Sequence, residues 1–355
     1  MEKERLGVIF GGMSTENEVS VVSANSVIKN LDREKYEIYP IYIDKNGIWY
    51  EYRDLQEERK LGEKVDKKNR ISDLIGYLKK LDILFPILHG LYGEDGTVQG
   101  LFELLKKPYV GCGVLASSVG MDKVYTKIIF EKAGLNQAKY EYVRKYNEKY
   151  IYMDSKFNEQ VMTLDGVVEK IFKNLKFPMF IKPSNSGSSV GINKAKSKEE
   201  LKQAIEYASK FDNKILIEEG IIGREVECAV LGNEEITASC VGEVKSAEEF
   251  YSYDAKYNNE ESKTEIPANI SEELSVEIRN QAIKAFKAID GKGLSRVDFF
   301  IENGTNKIYI NEINTLPGFT SISMYPKLFE ASGVSYKELL NKLIELSKEK
   351  YVTVY

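Results

Sequence analysis

Histidine is nearly absent: the chain of 355 residues has one, His89, which excludes a zinc site built from several histidines and any multi-histidine catalysis. Chemistry must then rest on carboxylates, lysines, arginine and backbone groups. Cysteine is almost as scarce. The three (Cys112, Cys228, Cys240) are odd in number, widely spaced and flanked by apolar or small residues, so they read as buried free thiols in a reducing compartment, not as a disulfide framework. No apolar run approaches the ~18 residues of a membrane span, and MEKERLGVIF has neither an apolar core segment nor a small-residue cleavage site. A cytosolic location, with no membrane partner, is expected. The net charge of -5, with Lys and Arg scattered over helical faces, leaves no basic stripe for nucleic acid. Repeats and low-complexity tracts are missing too.

What is present is an ordinary globular composition, 43% apolar and 30% charged, in a chain long enough for two or three domains. From residue 6 to 113 short apolar runs (LGVIF, YEIYPIYI, LDILFPILHG, PYVGCG) alternate with helical segments at about 16–31 and TVQGLFELLKK. That alternation predicts an α/β layer around a parallel sheet, with the highly charged 51–71 as a surface excursion. Beyond residue 122 come a helix (DKVYTKIIFEKAG), a polar stretch, another helix, and FPMFIKPSNSGSSVGINKA, whose two short strands around a Gly/Ser loop read as an antiparallel hairpin. A helix over 198–210 follows, then the strands KILIEE, REVECAVLG and EITASCVGEV. Residues 246–267 are polar and irregular, longer than ordinary connections, and are expected to be disordered or a functional lid. Helices at 271–289 and 335–349 flank a final hairpin, so the C-terminal half is α+β.

That hairpin, RVDFFIENGTNKIYINEIN, carries the sharpest chemistry. A turn near Gly304 sets Asp298 opposite Glu312, and the period of two puts Glu312 and Asn314 on one face. Three oxygen-bearing side chains then converge, the donor set that Mg²⁺ accepts alongside phosphates and water. A solvated sheet face is the alternative, disfavoured because the flanking residues, Phe300 and Tyr309 among them, are expected to be buried on both sides. IKPSNSGSSVG offers backbone N–H groups, hydroxyls and Lys182 to phosphates, although it is not a P-loop and such a loop alone is more often a plain turn. In VIFGGMSTENEVS, Thr15 with Glu18 fits a capping box, which leaves Glu16 in the first helical turn for a substrate ammonium or for the helix dipole alone. GCGVLA fits the dinucleotide fingerprint only weakly, since it lies outside the first strand–helix unit. His89 stands at a strand's carboxyl end, where either a ligand contact or a satisfied turn histidine fits.

Taken in order, GGMSTENEVS, LHGLYGEDGTVQG, MDKVYTK, IKPSNSGSSVG, ILIEE with Glu225 beyond, YDAKY, LSRVDFF and INEINTLPGFTSISMYP resemble the D-alanine D-alanine ligases of the ATP-grasp superfamily over essentially the whole chain. The resemblance implies three domains, 1–114, 115–222 and 223–355 with a lid at 246–267, and an adenine nucleotide held between two antiparallel sheets. It implies ATP and two Mg²⁺, or Mn²⁺ in their place, held by Asp298, Glu312 and Asn314. It makes Lys123, Lys182 and Lys256 phosphate contacts, Glu218 and Glu225 the adenine-edge and ribose acids, and Glu219 and Ile221 further nucleotide contacts. Arg296 and the Gly318 N–H become oxyanion donors. Glu16 would hold the first substrate's ammonium near His89, and Ser323 the second substrate's carboxylate. Glu16, Ser188 and Tyr257 would form a clasp that closes the lid. Met324, where D-serine ligases tend to carry arginine, argues for D-alanine, and Tyr257 argues for amide rather than ester formation. Dipeptide synthesis through an acyl phosphate, for peptidoglycan precursors, is then the expected reaction, with a homodimer expected from the family. Another ATP-grasp carboxylate-amine ligase, such as a D-alanine D-serine ligase, is the alternative.

Overall fold

The computed structural model describes residues 2–52, 61–63, 65, 69–245 and 263–354, the side chains of the last three excepted. Lys256 and Tyr257 lie outside the described residues, as does most of the expected lid.

The first apolar run forms β1 (Glu4–Gly11), followed by α1 (Asn17–Asn30) and β2 (Tyr36–Ile43). β3 (Trp49–Glu51) and β4 (Ile83–Ile87) complete a sheet of order β3-β2-β1-β4, in which β1 pairs in parallel with both neighbours. Its near-continuous apolar strands suit a sheet covered on both faces. The expected strand PYVGCG is reduced to a single bridge between Leu84 and Tyr109. Gly111, at φ 105°, instead lies 3.3 Å from where a Cβ on Gly293 would sit. The glycine of the dinucleotide-like pattern therefore serves close backbone packing. Helices α2 (Leu74–Lys79), α3 (Thr97–Leu104), α4 (Val114–Met121) and α5 (Lys123–Lys132) lead into the second sheet.

That sheet is antiparallel and six-stranded. β5 (Tyr140–Tyr146), β6 (Lys149–Met153) and β7 (Glu159–Met162) occupy what reads in the sequence as a polar stretch. β7 is almost wholly exposed and β5 half so, which removes the apolar alternation that marks a strand. After α6 (Leu164–Asn174) come β8 (Met179–Pro183) and β9 (Asn193–Ala195), antiparallel as expected around the serine loop. α7 (Lys198–Ala208) and β10 (Lys214–Glu219) follow, giving the order β7-β6-β5-β10-β8-β9. α6 and α7 bury Val167, Ile171, Leu201 and Ile205 against its inner face.

The third sheet has the order β13-β12-β11-β14-β15, with β11 (Gly223–Gly232), β12 (Thr237–Lys245), β13 (Lys263–Glu265), β14 (Gly293–Glu302) and β15 (Ile308–Asn314). Residues 263–265, expected to be irregular, add to the edge of β12 through regular antiparallel pairing. α8 (Glu272–Ala288) covers one face with Ile278, Ala282 and Phe286. The other face shares a core with the first sheet. Val8, Phe10 and Phe85 pack with Leu231, Leu294 and Phe319, and with Phe329 of α9 (Met324–Ala331) and Leu340 and Ile344 of α10 (Tyr336–Val354). Phe85 meets Phe319 edge to face at 6.2 Å. The loop after β15 is thereby anchored to the carboxyl end of β4, which is what brings the sequence's two most polar motifs together.

Candidate active site

The turn after β1 does not form the expected capping box. α1 begins at Asn17 with Glu16 as its N-cap residue and no side-chain cap, one residue later than the box requires, and the Glu16 N–H donates to Ser14 Oγ at 3.1 Å. Glu18 is left at the surface, 3.2 Å from Lys45. The Glu16 carboxylate points into a cleft and accepts a hydrogen bond from Ser188 Oγ. It is packed closely enough that a Cβ at Gly90 or Gly187 would fall within 2.7 or 2.8 Å of Oε2. Ser188 and Ser189 take φ of 48° and 60°, left-handed values that are uncommon for serine and cluster where geometry is over-determined.

His89 follows β4 and is buried. Its Nδ1 lies 3.2 Å from the Leu316 carbonyl and so carries the proton, and Ser23 Oγ at 3.0 Å donates to Nε2. Burial lowers its pKa, against the opposing charge of Glu16. A neutral imidazole with both nitrogens engaged thus ties β4 to the loop after β15. Nearby stands Glu94, which the sequence reading passed over. Its Oε1 accepts from the Gly90 N–H at 2.8 Å, and burial, followed by repulsion from Glu16, pushes its pKa up to about 8. The GED of LHGLYGEDGTVQG was the available signal.

Register across the last hairpin pairs Asp298 with Glu312 and Arg296 with Asn314, as the turn position predicts. Asn314 Nδ2 donates to Asp298 Oδ2 at 3.0 Å, and Arg296 reaches both Asp298 oxygens through Nε and Nη2 at 2.7 Å. Phe300 and Tyr309, expected to be buried on both sides, are only half-buried because they line a second cleft. Glu227 of β11, missed in the sequence because it interrupts an apolar strand, lies 2.9 Å from Arg296 Nε. Three acids, Glu227, Asp298 and Glu312, thus crowd one buried guanidinium, whose pKa they drive well above its ordinary value despite burial. No three acids among the described residues stand together as a cation cage, but Asp298, Glu312 and Asn314 are the hard oxygen donors that a divalent cation takes alongside phosphate and water.

Two clefts meet at this centre. The first is bordered by Glu16, His89, Lys123 and Ser188, and on its far side by Arg296, Asn314, Gly318, Ser323 and Met324. A Cβ on Gly318 would come within 2.7 Å of Ser323 Oγ, which also accepts from the Thr320 N–H at 2.9 Å. Lys123 donates to the Ser186 carbonyl at 2.6 Å, beside an α5 terminus capped by Asp122. The second cleft runs between the two antiparallel sheets past Glu218, Glu219, Ile221 and Glu225. Glu219 Oε1 is occupied by the Lys176 N–H at 2.8 Å. Lys182 and Glu312 border both clefts. Asp298 lies beneath them, 2% exposed. Glu218, expected at an adenine edge, has its Oε2 paired with Lys127 at 2.7 Å and its Oε1 with Lys182. Burial alone would raise its pKa, yet the two lysines hold it down to about 2. Lys127 was also overlooked, although MDKVYTK places it one helical turn beyond Lys123.

A sequence profile described as D-ala D-ala ligase C-terminus matches residues 129–345, and one described as D-ala D-ala ligase N-terminus matches residues 5–112. The chain belongs to the D-Ala-D-Ala ligase family. It is 51% identical to the D-alanine--D-alanine ligase of Acetivibrio thermocellus over 99% of this chain and 97% of that one. It is 48% identical to that of Clostridium novyi, over 98% and 99% of the two chains. Among solved ligase structures, VanG D-Ala:D-Ser ligase from Enterococcus faecalis superposes with a TM-score of 0.82 at 36% identity, over 98% of this chain and 100% of that one. The D-alanine-D-alanine ligase from Coxiella burnetii does so with a TM-score of 0.81 at 33% identity, over 99% and 96%. The facing antiparallel sheets are accordingly the ATP-grasp arrangement, and the parallel sheet is this family's N-terminal unit.

Proposed function

We propose that this protein joins two D-alanines into D-alanyl-D-alanine with conversion of ATP to ADP and phosphate, supplying peptidoglycan precursors. The observation that carries the reading is the meeting of the two clefts at Lys182 and Glu312, so that a nucleotide between the sheets ends where the acid-rich centre faces the substrate cleft. A carboxylate is a poor electrophile because oxide is a poor leaving group. Transfer of the terminal phosphoryl of ATP to the first D-alanine makes an acyl phosphate, and the amine of the second D-alanine then displaces phosphate. No enzyme nucleophile is needed, so catalysis rests on positioning and on stabilising charge.

Glu16 would pair with the first ammonium and Ser323 would bind the second carboxylate. Arg296 and the Gly318 N–H would meet the oxyanion, with Lys123, Lys182 and Lys256 on the phosphates. Glu218, Glu219, Ile221 and Glu225 line the nucleotide's path. Asp298, Glu312 and Asn314 would hold two Mg²⁺, which neutralise phosphate charge. Asn314 already gives its Nδ2 to Asp298, so Oδ1 would be the atom it offers a cation. Ser188 is within reach of its part in the clasp, since it already bonds Glu16. We further assign the three domains as 1–114, 115–222 and 223–355, closed by residues 246–267 as the lid, in a cytoplasmic homodimer. A lid would exclude the water that otherwise hydrolyses the acyl phosphate.

The likeness to a D-Ala:D-Ser ligase keeps that activity as the second reading. Met324, buried beside Ser323, supplies no cation for a serine hydroxyl and favours D-alanine. ADP release with ATP and Mg²⁺ over D-Ala, D-Ser, D-lactate and L-Ala, with mass identification of product, decides between them. D-Ala alone should yield D-Ala-D-Ala. Turnover only with D-Ser in the second position would overturn the assignment.

A further inference from the structure

Glu227 has no place in the roles above, yet it is among the most deeply buried acids of the fold, 4% exposed. It interrupts the apolar run of β11, where Val226 and Cys228 on either side are fully buried. In register it lies directly across from Asp298, and two residues along the same ladder Ala229 faces Arg296. The Arg296 guanidinium is therefore flanked by two acids. Its Nε hydrogen goes to Asp298 Oδ1 at 2.7 Å and Nη2 donates to Asp298 Oδ2 at 2.7 Å, while Glu227 Oε2 lies 2.9 Å from the same Nε as an ion-pair contact. Both oxygens of Asp298 are thus committed to the same arginine that the proposed reaction needs as an oxyanion donor. A cation on Asp298 would draw on the same two oxygens and weaken their hold on that arginine.

We propose that Glu227 is a positioning residue. It keeps Arg296 aligned on the reacting carboxyl when the Asp298 oxygens are shared with a divalent cation, and it leaves Nη1 for the substrate oxygen. The charge count supports this. Burying a guanidinium beside two carboxylates is costly unless every partner has a task, and here the second carboxylate borders the first cleft along with Arg296.

This inference rests on the ligase reading and is tested apart from it. Wild-type protein without D-alanine-dependent ADP release would defeat the reaction assignment before any variant is compared. With that activity in hand, E227A, or E227M should the alanine chain not fold, is measured beside E227Q. Loss of the anchor should lower kcat about 10²-fold, the scale of a displaced catalytic group. Calorimetric affinity for an ATP analogue should stay within about twofold, because the nucleotide cleft is untouched. Gln keeps an acceptor oxygen without charge, so E227Q should recover part of the loss. A kcat for E227A or E227M within about twofold of wild type would overturn the proposal. So would equal losses in the apolar and Gln variants that track a lowered melting temperature.

Discussion

At the scale of single residues the site is governed by which acids are paired. Glu218 sits between Lys127 and Lys182, and E218Q would leave two buried ammonium groups facing each other without their shared counterion. Breaking a buried pair in this way costs about 3–5 kcal/mol. Urea denaturation at pH 7 should show that loss, together with weakened nucleotide binding. Because its folded pKa lies below the unfolded value, Glu218's contribution is present above about pH 4.5 and disappears as pH falls toward about 2. Glu94 runs the other way. Its folded pKa, about 8, exceeds the model-compound value of 4.5. The unfolded chain ionises first, and stability falls as pH rises from about 4.5 to about 8. E94Q should therefore raise the melting temperature at pH 8.5 and leave it unchanged at pH 4; equal shifts at both values would refute the assignment. Residue-level legibility was uneven. Asp298, Glu312 and Asn314 were readable because a hairpin's register follows from its turn, whereas Glu227 and Lys127 depend on neighbours distant in sequence that no local window contains.

At the scale of elements, the serine loop between β8 and β9 and the loop after β15 do the positioning. S188A removes the hydroxyl that reaches Glu16 while the loop keeps its backbone. Hydrogen bonds to charged groups contribute about 1.5–3 kcal/mol, so kcat/KM for D-alanine should fall by about tenfold or more. Steady-state kinetics will show it. Phe319, fully buried against Phe85 and Tyr325, holds the other loop. F319A should lower stability by about 3–5 kcal/mol in chemical denaturation, and it should impair turnover beyond what stability explains, since Gly318 is its neighbour. The long apolar runs of β1, β4, β11 and β14 were legible as strands, and the serine loop as a hairpin. β5 to β7 were not, because their exposed faces alternate charge and tyrosine without an apolar period, and β13 was hidden because edge pairing needs only backbone.

At the scale of the molecule, the second sheet is joined to the rest by narrow ties. Among them are the Asn136 carbonyl, which accepts from the Ile310 N–H at 2.8 Å, and Asn136 Nδ2, which donates to the Ile308 carbonyl at 2.6 Å. A ligand bound between the sheets should therefore stabilise the whole. At 100 times its dissociation constant, an ATP analogue with Mg²⁺ should add about 2.7 kcal/mol, and chelating the metal with EDTA should remove most of that gain. Thermal denaturation with and without chelator tests this. The α/β and α+β classes were visible in the order of elements. The shared core of the first sheet and the last two helices was not, because nothing in a linear pattern says which distant apolar faces will meet.

That shared core bears on how the protein is made. Lys348 of α10 pairs with Glu4 of β1, 344 residues earlier, and Leu340, Leu343 and Ile344 of α10 join the core that β1 shares with α1 and β4. On the ribosome, α1 can cover part of that core early, but the share that α10 covers must wait until residues 336–354 have emerged. Nascent chains stalled before α10 should expose that part of the core to proteases and to chaperones, and release of α10 should protect it within one folding event. β1 thus gains its full covering only long after it has left the ribosome.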